Sequence, residues 1–324
     1  MAVQGATTTY DEPIGTGTNR EDLSNMLWDV TPLETPGVTA CGKGTSTAVS
    51  HDWPTDRLED ASTNSATEGA DADPQKAAAR TRLDNKTQIL TKDAVVSGTQ
   101  EKVLKGGGIK SEMAYQVARR MKAIKRDLEK IVFGTDQSKA AGDLTGSNNR
   151  LMGSFYSYMA GTSWQGGAGA VAPDGNGLMG SFAAGTDRAI TEDIMKDGLS
   201  QLWEQSGGNE NILGICGKHV RGQISNFTAS STRYVTTDDK KLVASIDVYD
   251  GDFHTVTISP DRFSDPSRLV LFDKEYAKIA DMRPLFTQDL SKTGDNYKKQ
   301  LIWETTVEVC DPLAHVVIAD LLTA

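Results

Sequence analysis

The residues best suited to chemistry here are four histidines and three cysteines, and their spacing limits what they can do. His51, His219, His254 and His315 never fall into HExxH or HxH, the patterns that bring two imidazoles to one metal ion. Cys216 and His219 have a separation that could ligate metal, but the start of a helix is the plainer reading. His51-Asp52 could pair as two members of a catalytic triad, yet no GxSxG elbow or comparable nucleophile context accompanies them. Asp247, Asp250 and Asp252 could bind a cation weakly, though the polar tip of a hairpin accounts for them. LKGGGIKSE at 104–112 lacks the GxxxxGK[ST] spacing of a phosphate loop, so its glycines read as a hinge. Trp53, Trp164 and Trp203 could stack on bases, but none sits in a basic aromatic pattern. No catalytic residue, cofactor site or metal site is assigned, and the chain reads as a non-enzyme.

One stretch does concentrate charge. Arg119, Arg120, Lys122, Lys125, Arg126 and Lys130 lie within 111–133, balanced only by Glu112, Asp127 and Glu129. Between them Met113, Val117, Met121, Ile124, Leu128 and Ile131 recur at gaps of three and four, which predicts an amphipathic helix with these six on one stripe. Ser111 suits its N-cap and Glu112 its dipole, and glycines at 106–108 and 134 bound it. At 1.5 Å per residue the rod is roughly 35 Å long. Its basic face could bind phosphate nonspecifically, or meet acidic side chains of an adjacent subunit. Asp56, Glu59, Asp60, Glu68, Asp71 and Asp73 supply that complement within the chain and favour the second reading.

The composition fits a structural role. A chain of 324 residues with formal charge −10 argues against a protein that coats nucleic acid. The scattered, odd-numbered cysteines form no disulfide framework and point to a reducing compartment. No signal peptide is visible at the N-terminus, and no apolar run is long enough to span a membrane. The 31 glycines and the 6% aromatic content suit a protein stabilised by neighbouring copies.

Along the chain, 1–50 reads as a polar arm with a helical candidate at 20–30, followed by extended chain enforced by Pro32 and Pro36. Residues 51–105 read as a long β-loop reaching away from the body, with two short strands over 85–103. The rod opens a segment at 106–159. The Gly-rich stretch 134–185 holds a near-repeat, LMGSF at 151–155 and 178–182, too small to imply a repeat architecture. Helices are predicted from Thr191 to Trp203 and over 218–227. Strands are predicted at 211–216, 242–249, 253–258, 269–273 and 300–310, with Asp250-Gly251-Asp252 as a hairpin turn. In the last long strand Leu301, Trp303, Thr305, Val307 and Val309 share one face. The fold class is α+β.

The ordered set of segments resembles the major capsid protein family of tailed double-stranded DNA bacteriophages. The resemblance rests on TYDEPIGTGTNREDLSNMLWDVTPLETP at 9–36, HDWPTD at 51–56, NKTQILTKDAVVSGTQEKVLKGG at 85–107 and QVARRMKAIKRDLEK at 116–130. It continues through IDVYDGDFHTVTISPDR at 246–262 and KTGDNYKKQLIWETTVEVCDPLAHVVI at 292–318. It implies a shell protein whose pentamers and hexamers close into an icosahedral head around packaged DNA. In that arrangement 1–50 is an N-terminal arm, 51–105 an extended β-loop, and 106–159 the spine helix with the start of a peripheral domain. Residues 160–240 are then the axial core, and 241–324 the remaining body with peripheral strands.

The resemblance also implies a separate scaffolding protein, a portal protein at one vertex, room for a decoration protein, and DNA touched nonspecifically at most. The protein would be made in the bacterial cytoplasm and end in the virion. Relatives that crosslink between a loop lysine and an asparagine make Lys86 and Lys92 candidates by location only, and the expectation is against it. The apolar residues Trp28, Leu33, Trp53, Ile89, Leu90 and Val95 are expected to bury themselves on neighbours. With Asp56, Glu59, Asp60, Arg119, Arg120, Lys122, Lys125 and Arg126 they make up the candidate contacts between subunits. The rival readings are a tail-tube or decoration protein, a carbohydrate-active or nuclease enzyme with an oligomerisation arm, and a nucleic-acid-binding module using helix 111–133.

Overall fold

The longest helix starts where two side chains meet its unpaired amides. In the computed structural model, which describes residues 31–59, 61–69, 71–72, 79–104, 108–143, 148–206, 211–227 and 247–324, the Ser111 hydroxyl accepts from the Ala114 N–H at 3.2 Å. The Glu101 carboxylate accepts from the N–H groups of Glu112 and Met113 at 3.0 and 3.2 Å. Both satisfy donors the helix cannot pair itself, and Glu101 sets negative charge against the positive end of the dipole. The helix, α3 in a chain order of α1 Pro36–Ala40, α2 Gly98–Lys102, α3 Glu112–Phe133, α4 Glu192–Gln205 and α5 Lys218–Ser225, runs for 22 residues. It ends at Gly134, where an added Cβ would collide with the Phe263 carbonyl. Thr191 caps α4 as its sequence predicts, accepting from Ile194 at 3.3 Å.

The strands are β1 Gly42–Thr45, β2 Ser50–Thr55, β3 Thr81–Lys86, β4 Gln88–Ser97, β5 Trp164–Gln165, β6 Asn211–Cys216, β7 Val248–Asp250, β8 Thr255–Pro260, β9 Leu269–Phe272, β10 Ala277–Asp289, β11 Asn296–Val309 and β12 His315–Ile318. They form a four-stranded sheet in the order β1-β10-β11-β4, a six-stranded sheet in the order β5-β12-β9-β6-β8-β7, and the two-stranded ribbon β2-β3. The mixed α+β class expected from the sequence is the class observed.

Helix α3 lies on β4 and β11, with Ile124 and Leu128 fully buried and Lys92 on β4 paired to Asp127 at 2.6 Å. Helices α4 and α5 pack on the six-stranded sheet, burying Met195, Leu199, Leu202, Val220 and Ile224. The seam between the two sheets is aromatic. Phe133, Phe155, Phe272 and His315 stack with centroid separations of 5.1–6.3 Å. Beside it the Arg268 guanidinium stands over the rings of Tyr156, Trp164 and Phe182 while pairing with Asp136. A buried cation is tolerable there because both its charge and its flat faces find partners.

Several local expectations change. Met121 is 36% exposed rather than part of the buried stripe. The helix turns its C-terminal end into the core instead, through Glu129, Val132 and Phe133. Residues 85–103 are not two short strands of a free hairpin. They close β3, form the single ten-residue strand β4 paired along β11, and end in α2. The two LMGSF copies have unrelated surroundings: Met152, Ser154 and Phe155 are fully buried, whereas Leu178 is exposed. Strand β11 is sheltered on both faces, since Glu304 and Thr306 are buried as well as Leu301, Val307 and Val309. The helical candidate at 20–30 and most of the 242–249 strand lie outside the described residues.

Candidate assembly surfaces

The groups singled out for chemistry are dispersed or spent on structure. His51 pairs with Glu308 at 2.9 Å. His315 is enclosed by Phe155 and Phe272, and burial pulls its pKa down to about 4. Burial pushes the Cys216 thiol up to about 12 and the Cys310 thiol up to about 11, with Glu308 adding to the latter, and it raises Cys41 further. Such thiols are neither nucleophiles nor ready metal ligands at neutral pH. Asp247 pairs with Arg221 at 2.5 Å, and Asp250 accepts from the Thr255 hydroxyl at 2.8 Å across the β7–β8 turn. Among the described residues no three His, Cys, Asp or Glu side chains are grouped to hold a metal ion. No described helix is long and apolar enough to cross a membrane.

What the structure builds instead is surface. The β2–β3 ribbon is fixed at its base by buried polar contacts. Asn85 is fully buried, donating to the Val307 carbonyl at 2.8 Å and accepting from the Gly153 N–H at 2.8 Å. Lys139 holds Asp84 at 2.6 Å; burial opposes ionisation of that carboxyl, but Lys139 and Lys86 together keep its pKa below the usual range. Trp53 donates from its indole to the Val309 carbonyl at 2.8 Å and packs on Tyr158 with centroids 5.7 Å apart. From there the chain leaves the body. Every described residue of 56–80 is exposed, without helix or strand, and Leu58 is 97% exposed.

Two candidate contacts thus move inward. Trp53 and Leu90 are buried in the chain's own core, at 6% and 7% exposure, and have no face to offer a neighbour. The alternation of β4 explains Leu90: it points under α3, while Ile89 and Val95 on the other face stay exposed, as does Leu33. Lys86 and Lys92 are engaged with Asp84 and Asp127 of the same chain. Trp28 and Asp60 lie outside the described residues.

The basic candidates on α3 keep their charges out of ion pairs among the described residues. Among the described residues Arg119, Arg120, Lys122, Lys125 and Arg126 have no carboxylate at ion-pair distance, and the only ion pair of α3 uses Asp127. Arg119 stands over Tyr115 at 5.7 Å and Arg126 over Phe263 at 5.0 Å. The Arg126 Nε is buried without a hydrogen-bond partner. Four of these cations line a groove of about 170 Å³ together with Thr31, Leu33, Gln116 and Ala123. In the loop, Asp56 is paired with Arg80 at 2.9 Å, while Glu59, Glu68 and Asp71 have no cation partner among the described residues.

Sequence reasoning missed Glu129, a buried carboxyl on the face of α3 turned inward, because one acid in a charged helix reads as surface. Its position between Leu128 and the Val132–Phe133 pair was the available signal.

Residues 3–322 match the SU10 major capsid protein family. A stretch of 112 residues is 34% identical to the major capsid protein of Escherichia phage Phieco32, covering 34% of this chain and 32% of that protein. Among solved structures, the cyanophage A-1(L) capsid protein aligns with a TM-score of 0.69 at 11% identity, over 94% of this chain and 98% of that one. The capsid of a native GTA particle aligns with a TM-score of 0.60 at 14% identity, over 94% and 96%. Gordonia phage Cozz follows with a TM-score of 0.58 at 12% identity, over 99% and 97%. At these identities the structural likeness establishes the tailed-phage capsid fold, and the family match does the rest: the chain belongs to the SU10 major capsid protein family, as a structural protein of a phage capsid shell.

Proposed function

We propose that copies of this chain form hexamers and pentamers that close into an icosahedral head around packaged double-stranded DNA, with the arm 1–50 and the loop within 51–105 lying on adjacent copies. The observation that carries this reading is the 56–80 segment: every described residue of it is exposed, Leu58 included, and its ion pairs among the described residues are Arg57 with Asp311 and Asp56 with Arg80. An unpacked loop of that length is favoured only if another surface covers it. The unpaired Glu59, Glu68 and Asp71 match the unpaired cations of α3 in sign, and an intermolecular pairing would satisfy both. Residues 106–159 with the four-stranded sheet would form the peripheral domain, and 160–240 the axial core. A ring built this way is head-to-tail, so each copy presents its loop to one neighbour and its α3 face to another. A separate scaffolding protein and a portal at one vertex complete the assembly, with a decoration protein as an addition. The chain is made in the bacterial cytoplasm.

The test is a charge exchange read by electron microscopy and sedimentation. Replacing Arg119, Lys122 and Lys125 by Glu, or Glu59, Glu68 and Asp71 by Lys, should each cut the yield of closed shells by roughly ten-fold or more. Combining both sets should restore part of it. Normal shells from either single set would remove the pairing. Steeply salt-dependent DNA binding lost with the α3 set alone would move the basic face to the nucleic-acid reading.

A further inference from the structure

The last turn of α4 and the β7–β8 turn leave two aromatic rings in solvent. Trp203 and Phe253 lean on each other with centroids 5.2 Å apart and planes at 33°, yet stand 56% and 42% exposed. The pair is held in place. The Gly251 N–H donates to the His254 carbonyl at 3.1 Å, and a Cβ at Gly251 would lie 3.1 Å from the Leu199 side chain, so the turn sits directly on the helix. Glu204 and Asp252, each next in sequence to one ring, are exposed with no cation at ion-pair distance among the described residues. Lys196, the one basic residue of α4, is paired with Glu192 at 2.9 Å. Aromatic faces and carboxylates both attract cations, and exposed, fixed rings of this kind have the composition of an interface core.

The complement lies at the other end of the same strands. Strands β6 and β8 run parallel, with Asn211 beside Thr255 and Cys216 beside Pro260. Phe253 precedes β8, whereas Lys218 and Arg262 follow β6 and β8, beyond about 20 Å of strand. The Asp261 N–H donates to the Cys216 carbonyl at 2.9 Å, which ties the two exits together. Both cations are exposed, and neither has a carboxylate at ion-pair distance among the described residues. Leu213 and Ile215 face the Phe133–Phe155 cluster, and Ile212 and Cys216 face α4 and α5, so both faces of the sheet are covered. The strand ends are what this part of the chain offers a neighbour.

We propose that the Trp203–Phe253 pair is an anchor between copies of this chain, receiving Lys218 and Arg262 of the next copy over its rings, with Glu204 and Asp252 as their counter-charges. The two patches are opposite in character and sit at opposite ends of one sheet. End-to-end contact therefore joins copies head to tail, the arrangement that closes into a ring. Charge complementarity selects a second copy as the occupant, because the acidic, aromatic end and the basic end are both left unmatched within the chain. The contact rests on the shell reading, to which it adds a set of residues separate from the loop and α3.

Two cysteine variants of the full chain test the contact directly. Chains carrying Glu204→Cys and Arg262→Cys, mixed, assembled and treated with a short bis-maleimide, should give linked pairs above the wild-type blank. Either variant alone should not. No linkage in the mixture overturns the anchor, and so does linkage within one variant alone, which would mean that like ends meet. Trp203→Ala with Phe253→Ala should move the thermal midpoint of the isolated chain by no more than about 3 °C, while cutting closed shells roughly ten-fold or more. A larger fall in the midpoint would show the rings covered by their own chain and overturn the anchor. Lys218→Glu with Arg262→Glu should cut shells likewise, and adding Glu204→Lys with Asp252→Lys should restore part of the yield. Shells indifferent to both the ring and the charge variants overturn the anchor and leave the shell reading standing. A wild-type chain that yields neither rings nor shells overturns both.

Discussion

The two ends of the β2–β3 ribbon differ in almost every respect. At the base, Trp53 and Asn85 are buried and each spends its polar atoms on the chain's own backbone. At the tip, the described residues of 56–72 carry an apolar side chain, and three acids with no cation partner among the described residues, into solvent. Both come from one continuous polar stretch of sequence, so the contrast is tertiary in origin. The base has β11 and the 151–158 segment to lie against, whereas among the described residues of the tip only the exposed Arg57–Asp311 pair reaches back to the body. The lesson is that the two ends are told apart by what the chain itself satisfies, not by their composition.

The strongest way to break that contrast is to remove the tip. Replacing 57–79 by an Asn-Gly turn should leave the isolated chain folded, with its thermal midpoint shifted by only a few degrees, and should abolish closed shells in electron micrographs. Loss of folding would instead make the tip part of the body. The base is sharpened by Trp53→Ala, which leaves a cavity beside Tyr158 and an unpaired Val309 carbonyl. It should cost about 3–5 kcal/mol in urea unfolding of the unassembled chain. The smallest effect tests the division most finely. Leu58→Ser should change unfolding free energy by less than about 0.5 kcal/mol, yet measurably slow assembly followed by light scattering. Equal effects of L58S and W53A on the isolated chain would erase the distinction.

Helix α3 was legible because three local signals agree: the Ser111 cap, the spacing of Ile124 and Leu128, and Gly134 at the end. Met121 was misplaced because the sequence period does not say how wide the buried stripe is. Only the β4–β11 surface beneath it decides that, and it leaves Met121 at the rim. Strand β10 escaped altogether. Pro284 interrupts its pattern, and the ladder accommodates it with register shifts between Asp281 and Phe286. The Gly-rich GKGT of β1 carries no periodicity; it is a strand because Ala277–Asp281 offers it a parallel edge. Of the candidate contacts, the surface position of the α3 cations was readable from charge alone. Trp53 and Leu90 were not, since a tryptophan in a polar stretch has the same sequence signature whether its pocket is in its own chain or the next.

The four-stranded sheet pairs β1 and β4, from the first third of the chain, with β10 and β11, from the last sixth. Synthesis therefore leaves the early strands waiting for their partners. Strand β4 is complete at Ser97, but its partner β11 ends at Val309. At bacterial rates of about 5–20 residues per second that interval is on the order of ten to forty seconds. During it α3 has β4 but not β11 to lie on, and for most of it Phe133 lacks the Phe272 ring that packs against it. The order of the strands thus leaves the four-stranded sheet among the last parts of the fold to close.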